Sequence, residues 1–435
     1  MKLRIEKPVY GGAGLAHQTE GKDTGRAVFV PFTLPGELIE ANITEKSTGH
    51  DEAALLHVLE PSPNRVKPEC PHFGQCGGCQ YQHADYPAQF AIKQEILRET
   101  LERAGIVGLP EITVHSAEPW RYRNRIRLRI NSANGSLEGG YNRRGTNEFL
   151  PIQHCPIAAP LLWRAALAFK EIGAEASAAG RCAREAVEVE FFCSDGEKKL
   201  QMTVFTAKEH AGGFGELCER LHSVVPELAG AAPAVIIGKA QSRKAQKTKP
   251  LTGWGTDGFL YSVAGEDYWV NRGSFFQMNR FLIDKMVHVV TKQRTGQLAW
   301  DLYAGVGLFS RALARSFEQV TAIEIAGTDL VSTFKGPGKK AITSTTADFL
   351  RAASIQRERP ELVVMDPPRA GVGAEVCSLL AKIQPQQITY VSCDPVTLAR
   401  DAKVLLDSGY HLTELHLLDM FPQTFHMETI AVLKR

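Results

Sequence analysis

The chain has 435 residues, 44% of them apolar and 23% charged, and a formal net charge of only +2. Such a composition excludes a collagen-like or disordered chain and leaves room for two to four domains, while the small net charge confines any nucleic-acid surface to local patches. Nine cysteines at scattered spacings do not form a secreted disulfide framework, the N-terminal MKLRIEKPVYGG has no secretory apolar core, and no apolar run is long enough for a bilayer, so a reducing cytoplasm without membrane attachment is expected.

Residues 1–61 read as a small β-domain. GRAVFVPFTLPGELIEANIT holds short β-branched and aromatic runs cut by Pro and Gly, the texture of a five-stranded barrel. PSPNRVKPEC reads as a linker. It runs into CPHFGQCGGCQ, where Cys70, Cys76 and Cys79 are spaced too tightly for core thiols. YPAQFAIKQEILRETLERAGI then predicts a helix over 87–105, with Pro87 in its first turn and Gly105 as its stop.

In WRYRNRIRLRI, Arg121, Arg123, Arg125, Arg127 and Arg129 alternate with Tyr122, Asn124, Ile126, Leu128 and Ile130. As a strand this places the arginines on one face and an apolar stripe on the other. NSANGS supplies a hairpin turn. Further strand-like runs, EVEFFCS and LQMTVFT, make 111–265 a mostly antiparallel region, and the basic loop 239–249 reads as a solvated segment. From about 266 the rhythm changes. QLAWDLYAG, QVTAIEI, LVVMDPP and ITYVSCD are apolar runs ending in polar residues and separated by helical stretches, as in a parallel α/β sheet that binds ligands at its carboxyl end.

The chemistry-bearing residues sit at those strand ends. Gly305 and Gly307 in AWDLYAGVGLFS would let backbone approach a ligand. Glu324 ends the next run and could accept both hydroxyls of a ribose. Asp348, in TADFL, reads as the end of the third strand and Asp366, in VVMDPPRAG, as the end of the fourth. Each acid alone is more often a strand cap; as an ordered set they indicate a cofactor pocket. Cys393, just past another strand, is an accessible nucleophile rather than a core thiol. Glu428, beside His426 and before the last apolar run, could serve as a general base, although alone it would read as a surface residue. Cys182, Cys193, Cys218 and Cys377 read as ordinary thiols.

AWDLYAGVGLFS, VVMDPPRAGV, YVSCDPVTLARD and FPQTFHMET together resemble the S-adenosylmethionine-dependent RNA uracil-5-methyltransferases. GGAGLA with AVFVPFTLPGELIEA is similar to their TRAM domain. The C-x5-C-x2-C run is similar to the four-cysteine iron–sulfur site of many members. The resemblance covers nearly the whole chain. It implies a TRAM-like OB barrel over 1–61 and a central, mainly antiparallel region over 65–265 that carries the cluster, with helix 87–105 packed on the catalytic domain. Over 266–435 it implies an α/β, Rossmann-like class I methyltransferase domain.

The resemblance makes Cys393 the nucleophile that adds to uracil C6 and Glu428 the base that removes the C5 proton, yielding 5-methyluridine. It puts Gln277, Tyr303, Glu324, Asp348 and Asp366 at S-adenosylmethionine, and makes Cys155 the fourth ligand beside Cys70, Cys76 and Cys79. Four thiolates suit zinc or a [4Fe–4S] cluster, and the resemblance favours the latter. The arginine row and the barrel would contact RNA: 23S rRNA by resemblance, with a transfer RNA uridine-54 substrate or a non-catalytic RNA-binding protein as alternatives. A monomer is expected. The sequence departs from the family pattern at Ala304, where cysteine is common, at Leu308, where asparagine is common, and in a short stretch between Glu324 and Asp348.

Overall fold

The alternation of apolar runs and helices in the C-terminal third folds as expected into a parallel sheet, seen in a computed structural model. The structure describes residues 1–435 except 20–22, 134, 210–211, 239–246 and 327, and the side chains of 328 and 329. Most of the basic loop 239–249 therefore lies outside the described residues. The chain forms two units: Met1–Gly74, Gly78–Pro119 and Lys285–Arg435 in one, Gln75–Gly77 and Trp120–Asp284 in the other.

The first unit holds an eight-stranded sheet. Its order is Lys339–Thr343, Phe317–Glu324, Gly296–Leu302, Leu362–Met365, Gln387–Ser392, Glu428–Lys434, His411–Leu418 and Ile112–His115. The first five run parallel; Glu428–Lys434 is antiparallel to both its neighbours. The strands are near-continuous apolar runs because both faces are covered, with Trp300, Val363, Met365, Tyr390 and Leu433 all buried. Strand order reverses between Gly296–Leu302 and Leu362–Met365, which opens a crevice at their carboxyl ends.

The helix predicted over 87–105 spans Tyr86–Arg103. Asp85 caps it by accepting from the Ala88 N–H at 2.8 Å, and Gly105, at φ 79°, follows its end. Its buried face carries Ile92, Ile96, Leu97 and Leu101, but also Gln89 and Lys93. The expected five-stranded barrel is a curled six-stranded sheet, because Lys2–Arg4 adds an edge strand against Leu38–Lys46. Leu3, Ile5, Val28, Val30 and Ile39 fill its interior.

The second unit holds another eight-stranded sheet, antiparallel apart from Leu200–Thr206 against Leu228–Ile237. Helices Pro160–Gly173, Ala178–Arg184 and Phe214–Val224 contribute to one core with its inner face. The predicted hairpin pairs Arg125–Ala133 with Ser136–Asn142. Ile126 and Leu128 are buried, as the alternation requires, but the strand begins at Arg125, so Arg121 and Arg123 precede it.

Candidate active site

The carboxyl end of the parallel sheet gathers most of the sequence-derived residues. Gly296–Leu302 delivers Tyr303, a non-glycine residue held at φ 63°, followed by Gly305 and Gly307. Gly305 donates its N–H to Glu324 at 3.0 Å, and Ala326 donates to the other Glu324 oxygen at 3.1 Å. Glu324 is thus oriented by the two loops flanking it, with lone pairs left for a ligand. A Cβ at Gly305 would meet nothing within 4 Å, so the loop borders open space. Beneath it, buried Asp301 accepts from the Ser310 hydroxyl, and burial pushes its carboxyl up to about 7.

Asp348 does not end a strand. The strand stops at Thr343, and Asp348 lies in the first turn of helix Thr346–Gln356. Its N–H donates to the Thr345 hydroxyl at 3.1 Å, that hydroxyl donates to its carboxylate at 2.6 Å, and Arg351 pairs with the carboxylate at 2.5 Å. Thr345 is the N-cap of this helix, accepting the Asp348 N–H, so the chain has already turned into a helix at Asp348.

Asp366 follows Met365 directly, and Cys393 follows Ser392. Ser392 pairs with Thr429, and Glu428 is the residue before Thr429. The same antiparallel register therefore sets Cys393 opposite Glu428, although 35 positions separate them in sequence. A one-residue register slip would turn Glu428 to the opposite face. Asp401 fixes the loop after Asp366, accepting from the Val372 N–H and the Tyr390 hydroxyl, both at 2.8 Å.

Electrostatics sets this corner apart. Glu428 is 3% exposed; burial first, then Asp366, raises its proton affinity well above the carboxylate range, and Arg369 opposes. The Cys393 thiol is pushed up to about 11 by burial and by Glu428, again with Arg369 opposing. Arg369 Nη2 lies 3.1 Å from His426 Nδ1. Tyr10, from the small sheet, donates its hydroxyl to Asp394 at 3.1 Å, and Asp394 caps helix Pro395–Asp407 through the Val396 and Thr397 N–H groups. The corner thus combines a thiol, a carboxylate of raised proton affinity and one guanidinium, a set chemically able to add to an electron-poor ring and then take a proton from it.

Sequence reasoning did not single out Tyr10, Asp394 or Asp301, and read Arg369 only as part of the DPPR motif. Tyr10 reaches Asp394 from a distant segment, whereas Asp301 and Asp394 act on nearby residues of their own loops and helices. Ile325, beside Glu324, is 68% exposed and apolar.

Other expected residues lie elsewhere. Gln277 belongs to the second unit, where it is buried and its carbonyl accepts from Asn124 at 2.9 Å. Of the four cysteines, Cys70 and Cys79 belong to the first unit, Cys76 and Cys155 to the second. All four are partly exposed, whereas Cys182, Cys193, Cys218 and Cys377 are buried. Cys76 forms a bridge with Arg143, and both Cys76 and Cys155 raise the proton affinity of the buried Tyr141 hydroxyl after burial itself. Among the described residues no three His, Cys, Asp or Glu side chains are gathered round a point that would hold a metal ion.

The arginine row is answered within its own sheet. Arg127 donates to Glu188 at 2.6 Å and lies over Phe205; Arg125 pairs with Glu190 at 3.4 Å and lies over Phe192. Arg129 donates to Asn142 at 2.7 Å, Arg123 reaches the Met278 sulfur at 3.5 Å, and Arg121 is exposed. The expected unbalanced charge is thus largely balanced, because Glu188 and Glu190 stand opposite Arg129 and Arg127 in register and so flank the row.

Residues 85–346 and 339–435 match the family model described as tRNA (Uracil-5-)-methyltransferase. The chain belongs to that family. A 23S rRNA (uracil(1939)-C(5))-methyltransferase RlmD from Halomonas elongata is 31% identical over 452 residues, covering 100% of this chain and 89% of the relative. An uncharacterized RNA methyltransferase from Aquifex aeolicus is 32% identical over 452 residues, covering 100% and 98%. The crystal structure of the Pyrococcus abyssi tRNA (uracil-54, C5)-methyltransferase in complex with S-adenosyl-L-homocysteine superposes with a TM-score of 0.75 at 22% identity, covering 100% of both chains. That likeness shows the fold, a class I methyltransferase sheet, in this member of the uracil-5-methyltransferase family. No helix among the described residues is long and apolar enough to cross a membrane.

Proposed function

We propose that this uracil-5-methyltransferase modifies a uridine of 23S rRNA, using S-adenosylmethionine and a covalent Cys393 adduct. The adjacency of Cys393 and Glu428 across the Ser392–Thr429 pair carries the mechanism. The full-length likeness to the Halomonas RlmD supports the choice of rRNA.

The residues fit the cofactor. Glu324, oriented by Gly305 and Ala326, would accept the ribose hydroxyls; exposed Ile325 would lie against the adenine; the open space at Gly305 admits the amino-acid end. Tyr303, Asp366 and Gln277 complete the proposed contacts, with Asp348 as an outer member through its capped helix. When bound, S-adenosylmethionine supplies the methyl group that uracil C5 accepts.

The chain's own residues do the rest. Cys393 gives its proton to solvent and its sulfur bonds to C6, which moves the C5–C6 π electrons onto C5 and the C4 oxygen as an enolate. After C5 is methylated, Glu428 takes the C5 proton, the C6–S bond breaks and its electron pair returns to Cys393. The raised proton affinity of Glu428 suits a base that must deprotonate carbon. Arg369 keeps that carboxylate and the thiolate accessible by opposing Asp366.

We further propose that residues 1–61 act as a TRAM-like RNA-binding module and 266–435 as the catalytic domain, with 65–265 between them. Cys70, Cys76, Cys79 and Cys155 are the proposed ligands of a [4Fe–4S] cluster; their partial exposure and thiol chemistry support it, and no catalytic step passes through it. The arginine row is the proposed second RNA surface, with exposed Arg121 its foremost member and Arg123, Arg125, Arg127 and Arg129 behind it. A cytoplasmic monomer completes the proposal.

The test uses RNA in which uridine is replaced by 5-fluorouridine. Fluorine blocks proton removal, so a methylated adduct should persist. With S-adenosylmethionine, a 23S rRNA fragment should give an adduct that Cys393→Ala abolishes. An adduct with tRNA alone would reassign the substrate; an adduct surviving Cys393→Ala would overturn the mechanism.

A further inference from the structure

Glu428 is delivered by the loop 419–427, which follows strand His411–Leu418. This loop is held by an unusual number of buried polar groups from a distant part of the chain. Lys93 Nζ donates to Asp419 at 2.5 Å and to the Phe421 carbonyl at 3.1 Å, and the Lys93 and Asp419 side chains are both 0% exposed. One helical turn earlier, Gln89 forms a reciprocal pair with Gln423. Its Nε2 donates to Gln423 Oε1 at 3.0 Å, and its Oε1 accepts the Gln423 N–H at 2.9 Å. The N–H groups of Gln80 and Tyr81 both donate to the Gln423 carbonyl at 2.9 Å, and Gln80 Oε1 accepts from Phe425 at 3.4 Å.

Gln423 itself sits at φ 69°, a left-handed conformation that costs a side-chain-bearing residue and persists only where its surroundings enforce it. The small sheet closes over the same loop. A Cβ at Gly12 would stand 2.9 Å from Gln80 Cβ and 3.5 Å from Phe425 Cβ, and Tyr10 meets Phe425 edge-on at 5.5 Å. Burying this many polar groups costs more than packing apolar side chains of equal volume, and the return is a single loop geometry.

We infer that Gln80, Gln89 and Lys93 form a clamp that positions Glu428 for proton removal, acting through Gln423 and Asp419. They are positioning residues, and the inference rests on Glu428 being the proton acceptor. The clamp fixes the step that releases the product, not the step that forms the adduct. Loosening it leaves Cys393 and the cofactor crevice in place and delays elimination.

The experiment follows ordinary uridine-containing 23S rRNA transcript with S-adenosylmethionine in the full-length protein. Gln89→Leu and Gln423→Gly are compared with Glu428→Gln. Glycine takes the left-handed conformation without strain, so Gln423→Gly keeps the loop backbone and its N–H bond to Gln89 Oε1 while removing the acceptor of Gln89 Nε2. All three should accumulate a denaturation-resistant protein–RNA adduct that the parent does not. In the two clamp variants kcat should fall roughly 10- to 100-fold, part of the ~10²–10⁴ attributable to a positioned base, and the apparent KM for RNA should fall with it because the covalent adduct accumulates, leaving kcat/KM and the affinity for S-adenosylmethionine within about twofold. If Glu428→Gln accumulates adduct and neither clamp variant does, the clamp is refuted and the base stands. If Glu428→Gln accumulates none, the base assignment falls and the clamp with it. Should Gln89→Leu lose cofactor binding through misfolding, Gln423→Gly decides alone.

Discussion

Two charged rows can be compared directly. In the second unit, Arg125, Arg127 and Arg129 line one face of a strand and are met by Glu190, Glu188 and Asn142, with aromatic rings beneath. In the first, Glu324, Asp366 and Glu428 line the ends of three strands, and Arg369 is the cation that acts on both Glu428 and Cys393. The arginine row satisfies itself and builds a sheet. The acidic row leaves Glu428 protonated more readily than water would, and a thiol that keeps its proton. Charge answered inside the fold stabilises it; charge left displaced from its ordinary proton affinity is available to a substrate.

The sharpest way to break this contrast is Cys393→Ala. Turnover should fall by roughly 10⁴-fold or more while S-adenosylmethionine binding, followed by calorimetry, stays within about twofold. A thiol pushed up to about 11 holds its proton at neutral pH. Adduct formation on 5-fluorouridine RNA should therefore rise about tenfold per pH unit below that value, and a rate that is flat from pH 7 to 9 would contradict it. Next in size, Lys93→Met strands the Asp419 carboxylate in a fully buried site and should cost about 3–5 kcal/mol in urea unfolding. Arg127→Ala removes a largely buried ion pair and a ring contact. It should cost about 1–3 kcal/mol and, because Arg127 stands behind Arg121 in the proposed RNA surface, change the salt slope of RNA binding less than loss of Arg121 does. Arg121→Ala is the converse: stability within about 0.5 kcal/mol, and a salt slope shallower by up to about one.

Much of the acidic row was legible because strand ends are local events. Apolar runs stop where the chain leaves the sheet, so Glu324, Asp366 and Cys393 could be assigned from their own neighbours. Asp348 was misplaced for an equally local reason: the T-x-x-D capping signal was present but was taken for the end of a run. What crosses the chain was not legible. Glu188 and Glu190 answer the arginines from some sixty residues away, and alternation reports which residues share a face, not what stands beside them. Gln89 and Lys93 escaped because a helix's buried face is found by its apolar spacing, and these are polar. The strand Ile112–His115, joined to the far edge of a sheet built from residues beyond 296, could not be paired from pattern alone.

The position of strand Glu428–Lys434 also bears on how the molecule is made. It lies between Gln387–Ser392 and His411–Leu418, not at an edge. Until it is synthesised and clears the ribosome, the two strands on either side of it present bare edges, and Cys393 has no residue opposite it. A nascent chain stalled before Glu428 would carry Cys393 but not the proton acceptor proposed for it. A strand made after both of its neighbours must be inserted between them, so this part of the sheet cannot close in the order in which the chain is made.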